Sequence, residues 1–188
     1  MRFFEDSKYY SLKKSTYINL RWIGIIGQLI SVYLVHFYFG FKFDFFLANL
    51  AIFFGVLSNL YLILIYKKTQ LSDRLALLFL LFDIIQLTVL IYLTGGAKNP
   101  FIIFIIIPSI FASTNLGLKT NLFIVLITCI MIIFLTFYAS ELPYPLGNHF
   151  HISDYIYYSI PVSLIIALIF LNYFAIIFGR ESRLRKEA

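Results

Sequence analysis

The sequence predicts an all-α, polytopic membrane protein with six transmembrane helices, and two observations lead to that fold class. The 188 residues are 61% hydrophobic and only 13% charged, with a mean hydropathy of +0.90. Soluble domains carry about 25% charged residues, so a soluble chain of this length could not bury so much apolar surface. The apolar residues also fall into six separate stretches, each close to the roughly 20 residues that cross the hydrocarbon core of a bilayer.

These stretches follow one another with short connections, at about residues 22–41, 45–66, 75–94, 101–118, 121–140 and 155–179. Their continuous apolarity favours helices over the alternating strands of a membrane barrel, because a helix pairs all its backbone groups within one segment. The fourth stretch is barely long enough, since polar residues at 113–115 shorten its apolar part. We therefore expect a cytoplasmic N-terminal segment (1–19), a six-helix domain (20–179) and the start of a cytoplasmic linker (180–188).

The positive charges predict the orientation of the helices. An even number of helices places both termini on one side of the membrane, and all of the 15 Lys and Arg residues except Lys42 and Lys98 then fall on that side. The positive-inside rule identifies this side as the cytoplasm. The residues assigned to the cytoplasmic side include Arg21, which directly precedes the first apolar stretch. The positive-inside bias of a protein in contact with membrane lipids thus explains the net charge of +6, which requires no nucleic-acid partner.

Several other features are expected to be structural. Cys129 lies midway along the fifth helix, where a single buried thiol behaves as a small apolar group. His149 and His151 form an H-x-H pair in an outer loop, but no further ligand completes a metal site, so no metal is expected. Small residues on the first two helices indicate close helix packing: Gly24, Gly27, Gln28 and Ser31 on the first, and Gly55, Ser58 and Asn59 on the second.

Polar residues inside the third helix are candidates for function. Asp83 is the only acid within an apolar stretch, and Gln86 and Thr94 follow it at nearly the same helical angle. The three residues predict a polar stripe that runs outward to Gly95. Two interpretations stay open: a protonated Asp83 that bridges two helices, or a ligand-binding residue. Asp83 and Gln86, together with His36, could also line the path of a small channel or carrier.

The connection LTGGAKNPF (93–101) interrupts the apolar sequence on the outer side. Gly95 and Gly96 can adopt positive φ without penalty, which allows a tight reversal. Asn99 is a good N-cap and Pro100 suits the first position of a helix, so the fourth helix is expected to begin at Pro100. Its free N–H groups would attract an oxygen acceptor.

Flat apolar surface is expected beside this turn. Phe101 and Phe104 follow the cap directly, and Pro108 should bend the fourth helix by removing one hydrogen bond. Such a turn suits a flat, lipid-soluble molecule with carbonyl oxygens. A purely structural turn explains the residues equally well.

The stretch FDIIQLTVLIYLTGGAKNPF (82–101) resembles the third helix and outer loop of RegB/PrrB-type (ActS-like) redox sensor histidine kinases. Their loop carries the pattern G-G-x-x-N-P-F, and the Asp and Gln ahead of it also look family-like. The resemblance implies a membrane sensor that binds ubiquinone or ubiquinol, forms a homodimer, and signals through helix six to a cytoplasmic response regulator. The implied quinone-binding residues are Gly95, Gly96, Asn99, Pro100, Phe101, Phe104, Asp83 and Gln86.

In that family a dimerisation domain with a phospho-accepting His and an ATP-binding domain follow the sixth helix. No such motif is present in these residues, so no enzymatic activity is expected of them. The basic tail at 180–186 could continue helix six towards the missing domains. Two alternatives to the sensor remain: a passive membrane anchor and dimeriser of a kinase, or a small channel or carrier.

Overall fold

A computed structural model of the chain describes residues 12–138 and 154–187. Within these residues the structure is almost entirely helical. The α-helices are α1 (Lys14–Tyr33), α2 (Phe45–Leu64), α3 (Asp73–Leu93), α4 (Ile107–Asn115), α5 (Leu118–Phe137) and α6 (Asp154–Glu187). Helix α1 continues as a π-helical turn (Leu34–Tyr38), and two 3₁₀ segments, Gly96–Lys98 and Pro100–Ile106, precede α4.

Five helical segments are long and apolar enough to cross a membrane, and a shorter one accompanies them in the described residues. The five are Lys14–Tyr38, Phe45–Leu64, Asp73–Leu93, Leu118–Phe137 and Tyr157–Ile177, and the shorter helix is Pro100–Asn115. The expectation of six spans is therefore modified at the fourth, which is short, as its polar residues suggested. The 3₁₀ part of this helix partly compensates for its small number of residues, because a 3₁₀-helix rises about 2.0 Å per residue and an α-helix only about 1.5 Å.

The helices pack in two groups that share α3. Helix α2 contacts α1 and α3, whereas α4, α5 and α6 contact one another, and α3 contacts both α4 and α5. The larger buried cluster contains fully buried side chains from both groups, such as Leu62, Ile84, Ile124 and Leu168. Large apolar side chains such as Phe46 cover the outside of the helices, as expected of surfaces that face lipid.

A short antiparallel β-pair, which the sequence analysis did not predict, joins the start of α1 to the connection between α2 and α3. Strand β1 (Leu12–Lys13) pairs with β2 (Gln70–Leu71). The start of α5 lies near the same end of α3, because the Thr120 hydroxyl donates to Asp73 Oδ2 at 3.0 Å. These contacts gather the start of α1 and the two connections at one end of the bundle, opposite the turn after α3.

Helix α1 differs from two expectations. The helix begins at Lys14, so Arg21 lies inside it and is buried, rather than in a cytoplasmic segment before it. The close packing expected at Gly24 and Gly27 is also wrong within the described part of the chain, where a Cβ at either position would meet no other atom within 4 Å. By contrast Gly55 on α2 is buried, and a Cβ there would lie 3.8 Å from the Gln86 side chain, which confirms the packing expected on that helix.

Candidate functional site at the turn before the fourth helix

Two glycines reverse the chain after α3, as predicted. Gly95 has a φ of 109° and Gly96 a φ of 57°, in the left-handed region that side chains other than glycine rarely adopt. The turn closes with hydrogen bonds from Lys98 N–H to the Gly95 carbonyl (3.1 Å) and from Asn99 N–H to the Gly96 carbonyl (3.0 Å). Gly95, Gly96 and Ala97 are buried, so the turn is packed against the helices and not extended into water.

Asn99 organises the turn from both ends of its side chain. Its Oδ1 accepts from the Phe101 N–H at 2.9 Å, and its Nδ2 donates to Thr94 Oγ1 at 2.6 Å. The N-cap predicted at Asn99 and the helix start predicted at Pro100 are thereby confirmed. The cap also occupies the Phe101 amide, one of the N–H groups that the sequence analysis considered free for a ligand.

The helix that begins at Pro100 is at first a 3₁₀-helix, seven residues long, which exceeds the three or four residues that such helices usually reach. Pro108 contributes to this geometry. In an α-helix the Phe104 carbonyl would accept from residue 108, but proline has no N–H and its ring clashes with that carbonyl. Here the Phe104 carbonyl accepts from Ile107 instead, in the 3₁₀ pattern. The hydrogen bond that Pro108 was predicted to remove is thus replaced by a change of helix type, and the predicted bend stays a prediction.

The 3₁₀ geometry places Phe101 and Phe104 in one row, because side chains at i and i+3 eclipse each other in such a helix. Their ring centroids lie 5.9 Å apart, and the ring planes differ by only 14°. The side chains are 37% and 45% exposed, whereas Ile102 and Ile105 are buried. We call this exposed pair, Phe101 and Phe104, the phenylalanine platform. It is a flat apolar surface one residue beyond the capped turn.

Asp83 lies in a cluster of buried polar groups between α1, α2 and α3. Its Oδ1 accepts from Arg21 Nη2 at 2.7 Å and from Nε at 3.0 Å, and its Oδ2 accepts from the Tyr17 hydroxyl at 2.6 Å. Arg21 is only 7% exposed and also donates to the Ser58 hydroxyl. The carboxylate therefore joins α1 to α3 as an ion pair, and both of its oxygens have partners.

Aromatic rings surround the Arg21 guanidinium on the remaining sides. Its Cζ lies 5.4 Å from the Tyr17 ring centroid, 5.5 Å from that of Phe79 and 6.0 Å from that of Phe82. Cation–π contacts of this kind stabilise a desolvated guanidinium. Sequence analysis missed Arg21 and Tyr17. The available signal in the sequence was a basic residue, Arg21, directly before one apolar stretch and a single acid, Asp83, inside a different apolar stretch.

The predicted polar stripe on α3 is divided among three separate contacts. Gln86 exchanges hydrogen bonds with Gln28 of α1, at 2.8 Å and 3.4 Å. Thr94 belongs to the turn, where it donates to the Leu90 carbonyl and accepts from Asn99. His36 does not join these groups, because its ring packs against phenylalanines such as Phe45, with centroids 4.4 Å apart. The structure thus uses Asp83 and Gln86 as contacts between α1 and α3.

Two contacts connect this site to α6. The Lys98 ammonium lies 5.5 Å from the ring centroid of Tyr157, near the start of α6. Fifteen residues further along α6, Asn172 Nδ2 donates to the Ser109 hydroxyl of α4 at 3.1 Å, and both side chains are buried. These two side-chain contacts join the turn and α4 to α6, and the 3₁₀ segment between them also packs against α6.

Two sequence expectations fall partly or wholly outside the described residues. His149 and His151 lie there, and no group of three potential metal ligands occurs within residues 12–138 and 154–187. The backbone at 180–186 is described and is helical, which confirms that the basic tail continues α6.

Comparison with known proteins identifies the family of the chain. The family model described as "PilS-like transmembrane domain" matches residues 5–183. The chain belongs to this family. The PilS-like domain is also 26% identical over 161 residues to sensor histidine kinase RegB of Cereibacter sphaeroides, which confirms the resemblance indicated by the loop motif. The match covers 85% of this chain but only 35% of that relative, and no solved structure matches. The protein is a multi-pass protein of the bacterial inner membrane.

Proposed function

We propose that this PilS-like domain is the membrane sensor region of a RegB-like histidine kinase and that it binds the headgroup of ubiquinone or ubiquinol at the phenylalanine platform. The observation that carries the proposal is the exposed, nearly parallel pair Phe101 and Phe104 directly beyond a buried, Asn99-capped turn. Stacking of aromatic groups contributes about 0.5–1.5 kcal/mol beyond burial of apolar area. A quinone ring dissolved in the bilayer has the shape and polarity that such a surface recognises.

The turn supplies a candidate for distinguishing the two redox forms. The Asn99 amide has two N–H bonds, and Thr94 accepts from its nitrogen. The second N–H would donate to a quinone carbonyl, and the hydroxyl of a quinol offers a weaker match because it is itself a donor. A difference of one hydrogen bond, about 1.4 kcal/mol, corresponds to about tenfold in relative affinity. In this proposal Asp83 and Gln86 position α3 below the turn and do not contact the headgroup.

The kinase partner follows from the same proposal. In this proposal the protein forms a homodimer, and the kinase phosphorylates a cytoplasmic response regulator through domains beyond this region. Signalling would leave the membrane through α6, since that helix contacts both the turn and α4. Deletion of the quinone site should then fix kinase output at one level, whatever the redox state of the membrane.

Direct binding tests the proposal. Radiolabelled ubiquinone is equilibrated with the protein in lipid nanodiscs, and binding to empty nanodiscs is subtracted. We expect Phe101→Leu and Phe104→Leu each to weaken binding about two- to twelve-fold, the range that corresponds to the loss of one aromatic stacking contact.

Phe46→Leu is the matched control, because Phe46 is also an exposed phenylalanine but lies on α2 and not on the turn or the segment that follows it. It should leave the affinity unchanged. Equal affinities in all four proteins, or an equal loss in the control, would remove the platform from the proposal.

A further inference from the structure

The seven-residue 3₁₀ segment Pro100–Ile106 lies between two side-chain contacts that join the turn and α4 to α6, and the segment itself packs beside α6. On one side Lys98 lies over the Tyr157 ring, and on the other Ser109 pairs with Asn172. Along α6 the two attachment points are fifteen residues apart, which corresponds to about 22 Å of α-helix. The chain from Lys98 to Ser109 must cover a similar length for both contacts to form.

The 3₁₀ conformation brings the chain from Lys98 to Ser109 closer to that length. Eleven residues separate Lys98 from Ser109, and as an α-helix they would span only about 16 Å. Each residue in 3₁₀ conformation adds about 0.5 Å, so the seven residues of the segment add about 3.5 Å. The extended segment therefore fits both contacts better than a regular α-helix would.

The same conformation builds the phenylalanine platform. Phe101 and Phe104 are aligned because they are three residues apart in a helix with three residues per turn. In an α-helix, at about 100° per residue, Phe104 would be turned about 60° away from Phe101 around the axis. A ligand that covers both rings would consequently bind the extended form more tightly than the α-helical form.

From these two relations we propose that Pro100–Ile106 is a length switch: a bound quinone headgroup holds it in the extended 3₁₀ form, and conversion to an α-helix draws the turn away from Tyr157. Ser109 keeps α4 attached to Asn172 in both forms, while Gly95 and Gly96 absorb the rotation of the segment. This inference deepens the proposed function and names how binding at the platform reaches α6. A ligand shifts such an equilibrium only through its different affinity for the two forms, and the platform supplies that difference.

Pro108 gives the experiment that tests the switch. Pro108→Ala restores the N–H that an α-helix needs opposite the Phe104 carbonyl and removes the ring that opposes it. Spin labels are placed at Lys98→Cys and Thr114→Cys in a Cys129→Ser background, and the distance between them is measured by pulsed electron paramagnetic resonance in nanodiscs. The label removes the Lys98–Tyr157 contact from every variant alike, so the comparison reports the length of the segment itself. We expect Pro108→Ala to shorten the mean distance by about 3 Å.

The quinone arm of the experiment uses a short-chain ubiquinone. Added to the labelled Pro108→Ala protein, it should lengthen the mean distance again, towards the value measured with proline. Its affinity for the Pro108→Ala protein should be lower, by about tenfold if the α-helical form dominates by that ratio.

Two controls separate the switch from misfolding. Pro161→Ala removes the proline inside α6 and should leave the Lys98–Thr114 distance unchanged. Labels at Lys42→Cys and Lys68→Cys, close to the two ends of α2, should report the same distance with and without Pro108→Ala. An unchanged Lys98–Thr114 distance in the Pro108→Ala protein would overturn the switch even if quinone binds. A shortened distance without quinone binding would support the change of length at Pro100–Ile106, but it would overturn the proposed function and the part of quinone in the switch.

Discussion

The buried Arg21–Asp83 ion pair makes stability the most direct test of the helix arrangement. Asp83→Asn removes the charge that neutralises Arg21, whose guanidinium then keeps the Ser58 hydroxyl and the surrounding rings as partners. Arginine cannot lose its proton in a protein. Breaking a buried pair by removing one member costs about 3–5 kcal/mol, and Arg21 is only 7% exposed, so we expect the free energy of unfolding to fall by that amount.

The assay is unfolding of the purified protein by sodium dodecyl sulfate in mixed micelles, followed by far-ultraviolet circular dichroism. Asp44→Asn is the matched control: Asp44 caps α2 at an exposed position, where its Oδ1 accepts from the Leu47 N–H at 2.9 Å. Asparagine caps a helix about as well as aspartate. The control should therefore change the free energy of unfolding by less than about 0.5 kcal/mol.

A double variant completes the test. Arg21→Met combined with Asp83→Leu removes both charges and should bring stability back to within about 2 kcal/mol of the unmodified protein, because apolar replacements of buried pairs are often neutral. The reasoning fails if Asp83→Asn is as mild as Asp44→Asn. It also fails if the double variant is less stable than Asp83→Asn alone, since the cost would then not come from an unpaired charge.

Three further predictions concern the turn and its attachment to α6. Gly95→Ala should lower stability by about 1 kcal/mol or more because of the positive φ, whereas Gly24→Ala, inside α1 with open space around it, should be neutral or raise stability slightly in the same unfolding assay. Asn99→Ala should lower stability by about 1 kcal/mol, and Asn99→Ser, which keeps a cap acceptor, should recover most of it; equal losses would contradict the capping role. A double-mutant cycle of Ser109→Ala and Asn172→Ala should give a coupling energy of about 0.6 kcal/mol, and a value of zero would remove this contact from the connection between α4 and α6.

The turn was predictable because its signals are local. Positive φ at Gly95 and Gly96, the cap at Asn99 and the helix start at Pro100 depend on residues within a few positions of each other. The existence of the helices was predictable for a similar reason, since each stretch carries its own apolarity. The length of the 3₁₀ segment was not predictable from such signals. Pro108 accounts for only one of its hydrogen bonds, and the rest depends on packing.

The wrong predictions concern residues whose environment depends on parts of the chain that are distant in sequence. A hydropathy pattern excludes Arg21 from the first span, because it cannot show that Asp83 of another helix neutralises the charge. Gly24 and Gly27 looked like a packing surface, although no helix of the described chain covers them. The β-pair of two residues each is likewise invisible in the sequence, because neither strand has a pattern of its own.

Helix α6 is 34 residues long, and at 1.5 Å per residue this amounts to about 51 Å, compared with about 30 Å for the hydrocarbon core. About 20 Å of this helix therefore extends beyond the hydrocarbon core. In the sensor proposed above, such an extension would carry a small axial or rotary displacement from the membrane to its far end. A shift of one or two ångströms near Asn172 would then be felt at the far end of the helix, well outside the hydrocarbon core.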